Sequence, residues 1–196
     1  MAGLQEFIHK IELGEGAKVI KWITVILGFV TLAVAYDIQE HQCFVNPESM
    51  EAGQLARNLA EGRGYTTHFI RPLSMQLVQH RRGDNDALIK TAHPDLATPP
   101  LYPVVLAGLM KVVPFQWEIP KESTFFHYQP EIIITVFNQL LFMLAVWLVY
   151  CLGKRMFDAF VGGLSALVLA GSSLFWRFSV SGLSTMLLLV ILLAFF

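Results

Sequence analysis

The sequence predicts an all-α integral membrane protein of about four transmembrane helices, with a large outward loop containing juxtamembrane helices after the first span. Three observations predict it. Of the 196 residues 55% are hydrophobic and only 15% charged, and mean hydropathy is +0.54, which is far from soluble-domain usage. The apolar residues gather into runs long enough to cross a bilayer. Most of the charge gathers instead in one polar stretch, residues 37–131, between the first run and the rest. A formal net charge of −1 gives no basis for nucleic-acid binding.

The elements follow in order. Residues 1–18 form a cytoplasmic segment in which Leu4, Phe7, Ile8 and Ile11 give a short amphipathic surface helix at residues 4–13. Residues 19–36 are the first span, with Lys21 snorkelling from its end. This run starts too late and is too long for a cleavable signal peptide, and no small-x-small site precedes Tyr36. Residues 132–153 carry no charge and form the second span. A tight cytoplasmic turn, residues 154–158, leads to the third span at 159–176. Arg177 divides that span from a fourth at 178–196, which ends without a Lys or Arg anchor and so reads as truncated. Lys154 and Arg155, with Lys10, Lys18 and Lys21, place the N-terminus and the short turn in the cytoplasm. Glu6, Glu12 and Glu15 oppose this only slightly. Two crossings separate the basic sites, so the polar loop faces outward. Cys43 and Cys151 then lie on opposite sides and do not pair.

Within the loop, Asn46 and Pro47 start a helix and Gly62 ends it, giving residues 47–61. Ala52, Leu55, Ala56, Leu59 and Ala60 form its apolar stripe, and Gln54, Arg57, Asn58 and Glu61 take the other side. Glu48, four residues before Ala52, falls on the stripe, and Glu51 at its edge. Desolvation and the helix dipole act in opposite directions on such a carboxylate, a setting suited to a general base. An acid in a first turn also has a plain structural reading, as a partner of the dipole. Arg57, Arg63, Arg71, Arg81 and Arg82, with His68, His80 and His93, bring cationic groups to the same compartment. Guanidinium groups can grip a phosphate in bidentate fashion, whereas a lone arginine in a solvated loop need do nothing. There is no His-x-x-x-His or Cys-x-x-Cys spacing, so no metal ligands are assigned. Residues 81–86 read as an exposed turn. Pro99 and Pro100 then open an interfacial or re-entrant helix over residues 99–112.

Together these residues resemble the opening of a membrane glycosyltransferase of the GT-C fold, in the family of protein O-mannosyltransferases and lipid A aminoarabinose transferases. The resemblance rests on the Ala-Arg-x-x-x-x-Gly stretch of Ala56, Arg57 and Gly62, and on the Pro-Pro-Leu-Tyr segment Pro99, Pro100, Leu101 and Tyr102. The short basic turn at 153–157 and the Ser/Gly-rich segment at 179–185 add to it. It covers nearly the whole chain but about the first third of a family member. Counting back from Ala56 and Arg57 places Glu48 where the family carries its catalytic aspartate. The family prefers Asp, often followed by a second acid; here Ser49 follows, and Glu51 is the fallback.

The resemblance implies a transferase moving a sugar from a polyprenyl-phosphate donor to an acceptor on the outer face of the membrane. Glu48 would act on the acceptor hydroxyl. Arg57, Arg63, Arg71, His93 and Tyr102 would bind substrate. Its partners would be the lipid-linked sugar and membrane lipids, and its place the bacterial inner membrane with the loop periplasmic or extracellular. No cofactor is assigned; members of the fold differ in using a divalent metal, and the resemblance leaves that open. The competing expectation is a non-catalytic structural subunit of a larger complex of membrane protein subunits. A transporter is less well supported, since the spans offer little polarity beyond Asn138 and Gln139.

Overall fold

The structure is a computed structural model that describes residues 15–40, 44–82, 93–117 and 128–196. The expected surface helix at 4–13, Cys43 and the Gly83–Asp86 part of the expected turn lie outside the described residues. All regular structure among the described residues is helical, apart from one isolated antiparallel bridge between Thr66 and Pro94. The chain divides into two compact units at His41/Gln42.

The first unit holds helix α1, Glu15–Gln39. Its stretch Gly16–Gln39, 24 residues, is long and apolar enough to cross a membrane. At 1.5 Å per residue it reaches about 36 Å, against a hydrocarbon core of about 30 Å. Thr24 and Thr31 donate their hydroxyls to the carbonyls of Ile20 and Leu27, at 2.9 and 2.8 Å, so neither presents an open donor to lipid.

The second unit contains α2 (Pro47–Ala60), α3 (Pro72–Arg82), α4 (Leu101–Val112), α5 (Gln129–Met156), α6 (Ala159–Gly171), α7 (Ser173–Val180) and α8 (Thr185–Ala194). Helix α5 is the second helix of spanning length, 28 residues. It is longer than the predicted 132–153 because Pro130 fits its first turn and Lys154 and Arg155 favour its C-terminal dipole. The predicted cytoplasmic turn at 154–158 is thereby reduced to Phe157 and Asp158. The Asp158 carboxylate accepts the Val161 N–H at 2.7 Å and starts α6. Helices α5 and α6 then approach so closely that a Cβ on Gly153 would lie 2.7 Å from Gly162 Cα.

The predicted third span is not one continuous helix. It bends by 58° between α6 and α7, at Ser172, and Arg177, expected to divide two spans, lies inside α7. Helix α7 is separated from α8 by the turn at 181–184, where Gly182 adopts φ 71°. Trp176 drives the bend's packing: it is buried edge-on against Phe142 of α5, ring centroids 5.0 Å apart, and donates its indole N–H to Ala170 O across the break. Among the described residues two helices are long and apolar enough to cross a membrane, or three if the bent pair is a single span. Helices α4 and α8 are apolar but shorter.

Helix α2 packs on α4 through Ala52, Ala56, Tyr102, Leu106 and Ala107, with Ile134 of α5 beneath. Burying a side chain such as Leu106 is worth about 1.5–3 kcal/mol. The opposite flank of α2 is not the wet face that periodicity predicts. Residues 65–69 fold back across it: Asn58, buried, donates to Thr66 O at 2.7 Å, and Gln54 Oε1 accepts the His68 N–H at 3.2 Å. Helix α3, unforeseen in the sequence, turns polar Ser74 and Val78 inward and leaves Leu73 and Leu77 exposed. This mixture hides it from a periodicity reading that expects an apolar stripe inside.

Candidate functional site

Asn46 is extended, at φ −86° and ψ 136°, and with Pro47 at the first helical position it sets the start of α2. Its carbonyl accepts both the backbone N–H and the hydroxyl of Ser49, which locks the first turn. Glu48 and Glu51 project from this turn into a cleft of about 280 Å³. A second wall is the segment leading into α4. Asp95 accepts the N–H groups of Ala97 and Thr98, at 3.0 and 3.1 Å, and Tyr65 donates its hydroxyl to Thr98 O at 3.0 Å. Burial, and secondarily the Asp95 charge, push the Tyr65 phenol up to about 12. Pro99 and Pro103 make this wall apolar and leave it few backbone donors.

The third wall is the turn before α8, with Gly182 and Ser184 at the cleft. Tyr102 ties it in place. Its buried hydroxyl donates to Gly182 O at 3.0 Å and accepts from Asn138 Nδ2 at 3.0 Å. The walls therefore carry the beginnings of α2, α4 and α8, each with a partial positive charge from the helix dipole.

Glu51 and Glu48 sit in opposite surroundings to those expected. Glu51, predicted at the stripe's edge, is the buried one, 9% exposed; Glu48, predicted on the buried stripe, is exposed. The reason is Arg71, which ends the fold-back segment and donates Nη2–H to Glu51 Oε2 at 2.6 Å. That ion pair satisfies a carboxylate that burial would otherwise penalise. The hydrogen bond and charge of Glu51 hold the Arg71 guanidinium above its ordinary value. Glu48 makes no ion pair among the described residues. With both acids ionised, the trio carries one uncompensated negative charge, on Glu48.

Of the residues singled out in the sequence, the fold brings Glu48, Glu51, Arg71 and Tyr102 to one cleft. It does not bring Arg57, Arg63 or His93 there. Arg57 and Arg63 both pair with Glu61 at the far end of α2, and Arg57 also lies 4.7 Å over the Trp117 ring. His93 is fully buried and shares a hydrogen bond with Ser74. Tyr102 faces the cleft with its ring, its hydroxyl being engaged within the protein. The third wall comes from the segment 179–185, noted in the sequence only as the opening of a span. Among the described residues no group of three or more His, Cys, Asp or Glu side chains is arranged to hold a metal ion.

Comparison with protein-family models, with curated proteins and with solved structures finds no match to this chain.

Proposed function

We propose that the cleft is the reaction site of a membrane glycosyltransferase, or of its N-terminal part, which moves a sugar from a polyprenyl-phosphate donor to an acceptor hydroxyl. One observation carries the reading: an unpaired carboxylate, Glu48, stands beside an Arg71–Glu51 pair in a cleft with an apolar wall. In this reading the acceptor oxygen attacks the anomeric carbon and Glu48 takes its proton. The bond from that carbon to the phosphate oxygen breaks, and the phosphate leaves with the electron pair. Arg71 has N–H groups beyond the one given to Glu51, and these would meet the departing phosphate. Pro99 and Pro103 would lie along the apolar part of the donor.

The layout proposed with it has four crossings, α1, α5, the α6–α7 pair and a last one beginning with α8, in a bacterial inner membrane with the N-terminus cytoplasmic. Helix α4 would lie in the outer interface, since Leu101, Val104 and Val112 are exposed on one side and Lys111 closes its last turn. Supporting this, α4 is apolar all round, which suits a helix with one side on protein and the other on lipid.

The test is Glu48→Gln in the full protein reconstituted in nanodiscs, assayed for transfer of labelled sugar from a polyprenyl-phosphate donor. Loss of a general base lowers the rate by about 10²–10⁴-fold, with membrane insertion unchanged. Unchanged transfer in E48Q would remove Glu48 from the reaction. Absence of any transfer by the unaltered protein, with co-purification of other membrane subunits, would favour the structural-subunit alternative.

A further inference from the structure

We propose that His93, although it is sealed from the cleft, is a positioning residue that sets where Arg71 points. His93 has no exposed surface. Its Nε2 shares a hydrogen bond with Ser74 Oγ, and its Nδ1 is buried without a partner among the described residues. A side chain selected for stability alone would not leave a ring nitrogen unpaired in the interior. What the His93 ring supplies is the hydrogen bond to Ser74.

That contact joins three pieces of the cleft. The His93 carbonyl accepts the Thr67 N–H at 2.8 Å, and Pro94 bridges to Thr66, so His93 is fixed to the segment that folds over α2. Two residues on, Asp95 begins the caps that shape the wall at Ala97, Thr98 and Pro99. Ser74 belongs to α3, and Arg71 is the residue that starts α3, its carbonyl accepting the Met75 N–H at 3.0 Å. Arg71 directly precedes the first turn of that helix, so the turn that carries Ser74 also fixes where the Arg71 backbone leaves it. The outward side of α3, with Leu73 exposed, has nothing among the described residues that would fix its rotation. The His93–Ser74 bond, with Val78 buried one turn on, thus sets the rotation of α3, and with it the reach of Arg71 to Glu51.

The effect on Arg71 stands on this geometry; its consequence for sugar transfer rests on the reading of the cleft proposed above. Site-resolved phenylglyoxal modification of the full protein in nanodiscs, read by mass spectrometry, measures how firmly Arg71 is held. Ser74→Ala and His93→Leu should each raise the modification rate of Arg71 several-fold, while Arg57, paired with Glu61, serves as internal reference. His93→Gln, whose amide reaches about as far as Nε2 and leaves no ring nitrogen orphaned, should restore the unaltered rate. Should H93L fail to insert, S74A alone decides. Arg71 modified at the unaltered rate in S74A would overturn the proposal. If Arg71 loosens in S74A while transfer keeps its KM for the donor, the positioning role stands and the assignment of the cleft fails.

Discussion

Glu48 and Glu51 are one helical turn apart, and the difference between them is made by a residue from another segment. Arg71 neutralises the buried acid and leaves the exposed one with its charge. Periodicity ranked the two the other way because it sees only α2 and not the segment folded over it. Tyr65 provides a pH-dependent consequence at this scale. Its phenol titrates near 12 when folded, against 10.0 ordinarily, so the neutral form is favoured by folding. The associated stability is full below pH 10 and is lost as pH rises from 10 toward 12. Ultraviolet titration should show a late phase of tyrosine ionisation, and Tyr65→Phe should reduce its amplitude by one tyrosine. Tyr102→Phe removes a buried donor from the Gly182 carbonyl and an acceptor from Asn138. It should cost about 1–3 kcal/mol, read as a lowered unfolding midpoint in detergent.

Among the elements, those with punctuation at both ends were legible in the sequence. Asn46, Pro47 and Gly62 bound α2 to within a residue, and an uncharged run of spanning length announced α5. Helix α3 was not legible, because Ser74 and Val78 are its buried pair while the larger Leu73 and Leu77 stay exposed, so no apolar stripe marks its inner side. The break at Ser172 was also hidden, since hydropathy averages across a single serine while Trp176 and Phe142 decide the angle. Close helix packing gives a test at this scale. A Cβ on Gly162 would lie 2.7 Å from the Tyr150 carbonyl oxygen, and backbone cannot step aside cheaply. Gly162→Ala should destabilise the α5–α6 hairpin by about 1–3 kcal/mol. The neighbouring Gly163 has nothing within 4 Å of its would-be Cβ, so Gly163→Ala should be neutral or slightly stabilising through helix propensity. Thermal unfolding of both variants, measured side by side, separates packing from propensity. Equal midpoints would contradict the close approach.

In the whole molecule, the site was legible in part. Glu48 and the Pro99–Tyr102 segment were picked out together, and the fold places them on one cleft. The choice among five arginines was not legible, because composition cannot tell a guanidinium that reaches the cleft from two that share Glu61. The position of His93, buried and away from the cleft, was not legible for a similar reason: its burial depends on the pairing of residues 66 and 94, which no local pattern announces.

The hydroxyl of Tyr102 has a further consequence, in time and not in space. It meets a carbonyl 80 residues later in the chain. During synthesis at about 5–20 residues per second, the segment carrying Tyr102 exists for several seconds before its partner at Gly182 has been made. Until the hairpin of α5 and α6 is inserted and the turn behind it delivered, the cleft lacks its third wall and Tyr102 lacks its acceptor. The cleft is therefore completed only after α5 and α6, which separate its first two walls from its third in the chain, have been made.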